Sequence, residues 1–192
     1  FKVEFKNRNN MVTDEQVEKF YNYMDLLLEW NEKINLTAIT QPEEVIEKHF
    51  IDSLTILEQI NNEDNVIDVG TGAGFPGIPL AICSNAKFTL VDSLNKRINF
   101  LNQVKEKIDL KNVELEHGRA EDLAKDKKYR EKFDVAVSRA VAPMNVLIEY
   151  LLPYVKVGGK IICMKGPKAE EELGFKAKYG IEEMVKDSWN FY

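Results

Sequence analysis

The stretch VIDVGTGAGFPG, residues 66–77, constrains this chain more than any other part of it. Val66 to Val69 form a short apolar run of strand length. The chain then turns glycine-rich at Gly70, Gly72 and Gly74 and continues into an apolar helical segment, Ile78 to Ile82. A strand, a glycine turn and a helix start together make a cradle for a nucleotide-like ligand. Glycine backbone adopts positive φ and lets a ligand come close. The free N–H groups of the helix start favour electron-rich ligand atoms. The dinucleotide fingerprint G-x-G-x-x-G would place its third glycine at position 75, where this chain has Phe75. The spacing is G-x-G-x-G, with Asp68 two residues ahead of the first glycine. A tight strand-to-helix turn with no ligand is the plain alternative.

Around that turn, strand and helix patterns alternate. Strands read at 66–69, 88–91, 113–116, 133–137 and 160–164. Helices read at about 78–84, 94–108, 120–125 and 143–154. Short apolar strands separated by helices predict an α/β doubly wound, mostly parallel sheet of Rossmann-like type. Ahead of it, Thr13 with Gln16 forms a capping-box pattern. Val17, Phe20, Tyr21, Met24, Leu27 and Leu28 then mark one helical face running to about Trp30. Asn31 to Thr40 breaks that period and reads as a connector. Thr40 is placed to cap a second helix, with Pro42, Glu43 and Glu44 in its first turn. The polar cluster Asn61 to Asn65 marks a boundary. The expected domains are therefore a helical extension, 1–62, and a ligand-binding domain, 63–192.

Composition excludes some classes. The 44% hydrophobic and 30% charged content is that of a soluble globular chain, and no run of about 18 apolar residues predicts a membrane span. The first residues lack the apolar core of a signal peptide. Cys83 and Cys163 lie in apolar segments without metal-ligand spacing, so they read as reduced core thiols of a cytoplasmic protein. The net charge of −6 sits entirely in residues 1–60, which hold 6 basic and 12 acidic side chains. Residues 61–192 balance at 20 of each, which leaves room for a local basic face.

Strand ends carry the remaining chemistry. Asp92 follows the second strand, where folds of this kind bind ribose hydroxyls. Capping of the next helix is its alternative, with Ser93 competing for that task. Ala120 and Glu121 follow the third strand, at the position that meets an adenine edge; Glu121 reads equally as a first-turn helix carboxylate. Ser138-Arg139-Ala140 follows the fourth strand. An arginine there demands an anionic or electron-rich partner, because an unpaired buried guanidinium is costly. Lys165 and Lys168 add cations to the same rim, with solvated lysines as the alternative.

The glycine pattern with Asp68 resembles motif I of the class I S-adenosylmethionine methyltransferases, in which an acid near the turn faces the cationic methionine end. Further segments narrow the resemblance. They are Asn31, Asn35-Leu36-Thr37, His49 with Asp52-Ser53-Leu54, Asp92-Ser93 with Lys96-Arg97, Arg119-Ala120-Glu121, Ser138-Arg139-Ala140 and Met164-Lys165-Gly166. In order and at this spacing they resemble the bacterial small-subunit ribosomal RNA guanine-N7 methyltransferase family, RsmG or glucose-inhibited division protein B. The resemblance implies S-adenosylmethionine as cofactor and methylation of one guanine of 16S ribosomal RNA by a monomer with no membrane partner. It implies cofactor contacts at Gly70, Phe75, Ala120, Glu121 and Arg139, to which the glycine turn and the second strand end add Asp68, Thr71, Gly72, Gly74, Asp92 and Ser93. Arg139 would also position the reactants. RNA contacts are expected at Lys33, Asn35, His49, Arg119, Lys165 and Lys168; His49, beside an apolar stripe, also reads as a hydrogen-bonded structural histidine. No general base is expected, since guanine N7 bears no hydrogen. A nucleotide-dependent oxidoreductase, a cofactor-holding ribosome-assembly factor and a methyltransferase with another substrate are the rival readings. One departure is the closing pair of strands that class I enzymes place after the fifth; residues 167–192 predict only a helical stretch and a weak strand.

Overall fold

The computed structural model describes residues 12–139 and 143–164. Lys165, Lys168, Ala140 and the expected closing strands lie outside that range. The capping box forms: the Thr13 N–H donates to Gln16 Oε1 at 2.9 Å, and the Gln16 N–H donates to Thr13 Oγ1 at 3.2 Å. It starts α1, Asp14–Ile34, whose inner face buries Val17, Phe20, Tyr23, Met24 and Leu27. α1 runs a turn beyond the predicted end at Trp30, so Asn31–Ile34 is helix and not connector. Lateral packing holds that last turn: Trp30 lies 5.8 Å from Phe100, and its Nε1 donates to Gln103. Asn35 ends the helix in the left-handed region at φ 49°, which asparagine tolerates better than most residues.

α2 is composite, with an α turn Pro42–Val45, a π-helical stretch Ile46–Ile51 and an α turn Asp52–Leu54. Its N-cap is Gln41, with no side-chain cap, and not Thr40 as expected. Pro42 at the first turn and Glu43-Glu44 beside the free N–H groups suffice to start it. π-helical segments are rare and gather at functional sites. This one carries His49.

The sheet is wholly parallel, in the order β3-β2-β1-β4-β5. Its strands are β1 Asn65–Val69, β2 Lys87–Asp92, β3 Val113–His117, β4 Phe133–Arg139 and β5 Val155–Met164. Crossovers are made by α3 Gly77–Cys83, α4 Asn95–Lys107, α5 Ala120–Leu123 and α6 Met144–Leu151. Strand order reverses between β1 and β4, where open α/β sheets bind ligands. Both faces are covered, so strand residues alternate between two cores. Val66, Val135 and Val137 join α1, α2, α3 and α4 on one side; Ile67, Val69 and Ala136 join Leu147, Leu151 and Tyr154 on the other. β5 begins five residues earlier than predicted. Between the pairs Phe133↔Val155 and Val135↔Lys160 it bulges, turning through Gly158 at φ 83°. Cys83 and Cys163 are half-buried at the margins of the cores and not fully enclosed there. Among the described residues no helix is long and apolar enough to cross a membrane.

Candidate functional site

The glycine turn is tied at both ends. The N–H groups of Gly70 and Thr71 both donate to the Val91 carbonyl, at 2.9 and 3.0 Å. The Gly72 N–H donates to Asp92 Oδ2 at 2.9 Å. From below, Asp68 Oδ2 accepts from the Thr71 hydroxyl at 2.7 Å and the Gly77 N–H at 2.9 Å. Asp68 is fully buried, and its Oδ1 has no hydrogen-bond partner among the described residues. Burial pushes its pKa up to about 6 against the pull of those two bonds. Asp68 therefore sits under the loop, outside the walls of the cleft described below, and its visible work is to hold the turn's shape.

Asp92 stands at the end of β2 and is buried, yet it faces the cleft. Its Oδ1 accepts from the Leu94 N–H at 2.9 Å, closing the turn that leads into α4; the N-cap of that helix is Leu94, with no side-chain cap, and neither Asp92 nor Ser93 as expected. Arg97 Nη1 approaches both oxygens, at 3.2 Å to Oδ2 and 3.5 Å to Oδ1. A carboxylate offers about four lone-pair directions. Two are held by backbone N–H groups, and the two left over are those facing Arg97.

Arg139, at the end of β4, gathers the third cluster. Its Nη1 donates to Asp52 Oδ2 at 3.0 Å and to the Lys48 carbonyl at 3.3 Å, and Nη2 meets His49 Nδ1 at 3.2 Å. The guanidinium carbon lies 4.9 Å from the Phe75 ring centroid. His49 stacks on that ring, with centroids 4.5 Å apart at 22°. Because Arg139 has only donors, His49 Nδ1 is the acceptor and its proton sits on Nε2, which donates to Thr37 Oγ1 at 2.9 Å. Burial and the Arg139 charge hold the imidazole pKa down at about 4. His49 is thus a neutral linker between α2, the α1–α2 turn and Arg139. Its own nitrogens are engaged.

That linkage has a pH consequence. In the unfolded chain the imidazole takes a proton near its ordinary value of about 6.5. The folded state resists until about pH 4. Unfolded chain binds more protons in this window, so His49 contributes stability that is lost as pH falls from 6.5 to 4. Asp68 acts oppositely, since a raised carboxyl pKa removes a penalty as pH falls below about 6. Comparing wild type with His49→Gln isolates the histidine. Denaturant titrations at pH 7 and 4.5 should show wild type losing about 1–3 kcal/mol more than the variant. Equal losses would remove His49 as the acid-sensitive group.

These clusters open on one cleft of about 1560 Å³. Of the expected cofactor contacts, Gly70, Thr71, Gly72, Phe75, Asp92, Ser93 and Arg139 line it, and of the expected RNA contacts, His49 does. Thr37, Asp52, Arg97 and Lys160 line it too; the sequence marked Asp52 and Arg97 only through the family pattern, and Lys160 not at all. Gly74 packs inward against Tyr23 and Ile78. Ala120, Glu121 and Arg119 stand at the end of β3 outside the cleft walls, with the Ala120 carbonyl bonded to the Tyr154 hydroxyl. Lys33 pairs with Glu29 along α1, and Asn35 caps that helix; neither reaches the cleft. A single ligand pocket spans roughly 300–1,000 Å³, so this cleft has room for more than one occupant.

Comparison with known proteins gives the chain a family. The profile described as rRNA small subunit methyltransferase G, GidB, covers residues 16–191. The ribosomal RNA small subunit methyltransferase G of Clostridium botulinum (strain Eklund 17B / Type B) is 59% identical over 165 residues, spanning 84% of this chain and 69% of that protein. That of Alkaliphilus metalliredigens is 54% identical over the same shares. Among solved structures, an O-methyltransferase from Bacillus cereus in complex with SAH has a TM-score of 0.58 at 21% identity, covering 83% of this chain and 70% of that one. A putative O-methyltransferase from Klebsiella pneumoniae also reaches 0.58, at 17% identity over 85% of this chain and 73% of that one. The structures share the fold; the sequences share more, and the chain belongs to the rRNA small subunit methyltransferase G family.

Proposed function

We propose that this chain transfers a methyl group from S-adenosylmethionine to N7 of one guanine in 16S ribosomal RNA. The observation that carries the reading is the single cleft holding the glycine turn, Asp92 and Arg139 together. S-adenosylmethionine supplies an electrophilic methyl on a sulfonium: the N7 lone pair forms the C–N bond while the S–C pair returns to sulfur. A neutral base becomes a cationic one as the sulfonium becomes a thioether, so no proton moves. Gly70, Thr71 and Gly72 shape the bed for the cofactor, Asp92 takes the ribose hydroxyls, and Phe75 and Arg139 border the reacting groups. Asp68 supports this bed from beneath. Catalysis rests on placement, and oriented reactants gain ~7–11 kcal/mol from it. Arg119 and Lys33 are exposed cations suited to phosphate contact, with Lys165 and Lys168 beyond the described residues. Residues 1–62 act as an extension that steadies Arg139 through His49 and Asp52. The protein works in the cytoplasm as a monomer on the small ribosomal subunit.

The test is methyl transfer to purified small subunits, followed by borohydride and aniline cleavage of the RNA. One break at a guanine is expected, with a single-turnover rate flat between about pH 6.5 and 8.5 because no base must titrate. Cofactor binding without transfer would make the chain an assembly factor. A product resistant to cleavage would exclude N7.

The Asp92–Arg97 pair adds a binding prediction. Ribose hydroxyls must take the lone pairs that Arg97 now faces. Asp92→Ala should weaken S-adenosylhomocysteine binding at least ~10-fold, since bonds to charged groups contribute ~1.5–3 kcal/mol. Arg97→Ala removes the competitor and should leave affinity unchanged or tighter by calorimetry. Tenfold weaker binding by Arg97→Ala would mean that the guanidinium itself holds the cofactor.

A further inference from the structure

We propose that the Asp52–Arg139 ion pair reads the target base, with Asp52 accepting from guanine N1–H and N2–H and Arg139 donating to O6. This rests on the N7 methylation reading and names the residue that makes it guanine-specific. Among the described residues three carboxylates line the cleft, from Asp52, Asp92 and Glu58. Asp92 is occupied by two backbone N–H groups and Arg97. Glu58 is exposed on the short 3₁₀ turn Leu57–Gln59 with nothing to fix its direction among the described residues. Asp52 is different. Its Oδ2 is fixed by Arg139 at 3.0 Å, its side chain is 48% exposed, and its Oδ1 has no partner among the described residues. Arg139 is only 16% exposed and commits three N–H donors to Asp52, Lys48 and His49. A guanidinium has five, so donors remain for a ligand oxygen.

The pair therefore offers an acceptor beside a donor, in a fixed order. Guanine is the base that answers it, with O6 followed by N1–H and N2–H along one edge. Adenine presents an amino donor at position 6 and a lone pair at N1, so it would set donor against donor and lone pair against carboxylate. The same grip aims the reaction. N7 lies on the far side of O6 from N1, so a base held at N1 by α2 and at O6 by Arg139 turns N7 away from α2. Arg139 touches Phe75 of the glycine turn, and N7 then faces the turn's side of the cleft. Methylation makes the ring cationic and its N1–H a stronger donor. The bond to Asp52 therefore tightens as charge develops, which lowers the barrier as well as selecting the base.

The experiment compares wild type, Asp52→Asn and Asp52→Glu on small subunits carrying guanosine, inosine or adenosine at the modified position. Inosine lacks only the N2 amino group. In Asp52→Asn the amide oxygen stays with Arg139, so its NH₂ faces the base as donor against donor. Wild type should prefer guanosine over inosine by about tenfold in kcat/KM, because each bidentate base contact is worth ~1–3 kcal/mol of discrimination. Asp52→Asn should lose at least about tenfold on guanosine, with the guanosine/inosine ratio near one and S-adenosylhomocysteine affinity unchanged. Asp52→Glu, which keeps the charge, should recover part of the preference. A ratio near one in wild type overturns the proposal. So does full retention of the preference in Asp52→Asn, or a lost activity matched by lost cofactor affinity in both variants. Wild type that methylates no guanine defeats the N7 reading itself.

Discussion

Arg139→Lys is expected to slow single-turnover methylation by about 100-fold or more, the order that misplacement of reacting groups by an ångström produces. The guanidinium meets three acceptors, Asp52 Oδ2, the Lys48 carbonyl and His49 Nδ1, at 3.0 to 3.3 Å. Its central carbon also lies over the Phe75 ring. An ammonium is a point charge on a flexible stem, without the fork or the face. It can satisfy Asp52 or the Lys48 carbonyl in turn but cannot hold all three while stacking on the ring. His49 would then lose the donor that fixes its tautomer, and the α2 segment would lose its tie to the end of β4. Because the pair is partly solvent-exposed, folding should suffer little. S-adenosylhomocysteine affinity by calorimetry should change only a few-fold, which separates positioning from cofactor binding. A lysine variant with wild-type rate would end the assignment of Arg139 to the reaction.

Why Arg139 could be found in the sequence, and Asp52 hardly at all, comes down to how each is held. Arg139 follows an apolar strand, and a guanidinium at a strand end stands out because burial there needs a partner. The glycine turn was legible for the same kind of reason, since its residue types are demanded by backbone shape. The central strands β1 and β4 were legible because burial on both faces makes them nearly continuous apolar runs. Asp52 lies inside a helix with no local pattern to mark it, and only folding brings it to a residue 87 positions away. The π-helical stretch was invisible too, as nothing in IEKHFI distinguishes it from an α-helix. The end of α1 was misplaced because Trp30 packs sideways onto α4, a tertiary contact that overrides the faded period. Asp68 shows a subtler limit. It stands in the motif two residues ahead of the first glycine, but the side chain points under the turn toward Thr71 and Gly77 and not toward the cleft. Strand alternation gives the face of the sheet, not the hydrogen bond that captures a side chain at the strand's end.

The glycines of the turn should divide into two kinds under substitution, and the division tests the cradle directly. Gly74 has φ 102°, and a Cβ there would lie 2.6 Å from Ile78 Cγ1, 2.8 Å from Leu101 Cδ2 and 2.8 Å from the Tyr23 hydroxyl. That hydroxyl donates to the Ala73 carbonyl, so the intruding methyl would also disturb the bond tying α1 to the turn. Overpacking costs about 1–3 kcal/mol and positive φ adds roughly 1–2 more. For a domain of this size each kcal/mol lowers Tm by about 2–4 °C, so Gly74→Ala should melt roughly 10 °C lower. Gly72 has φ 62°, but its Cβ would meet nothing within 4 Å, and the residue lines the cleft. Only the backbone strain of roughly 1–2 kcal/mol applies to the fold. A side chain at that position instead fills space the cofactor must enter, beside the N–H that Asp92 holds. Gly72→Val should therefore stay folded by circular dichroism while S-adenosylhomocysteine binding becomes undetectable by calorimetry. A folded Gly72→Val that binds normally would overturn the assignment of the glycine turn to the cofactor, whatever Gly74→Ala does to stability.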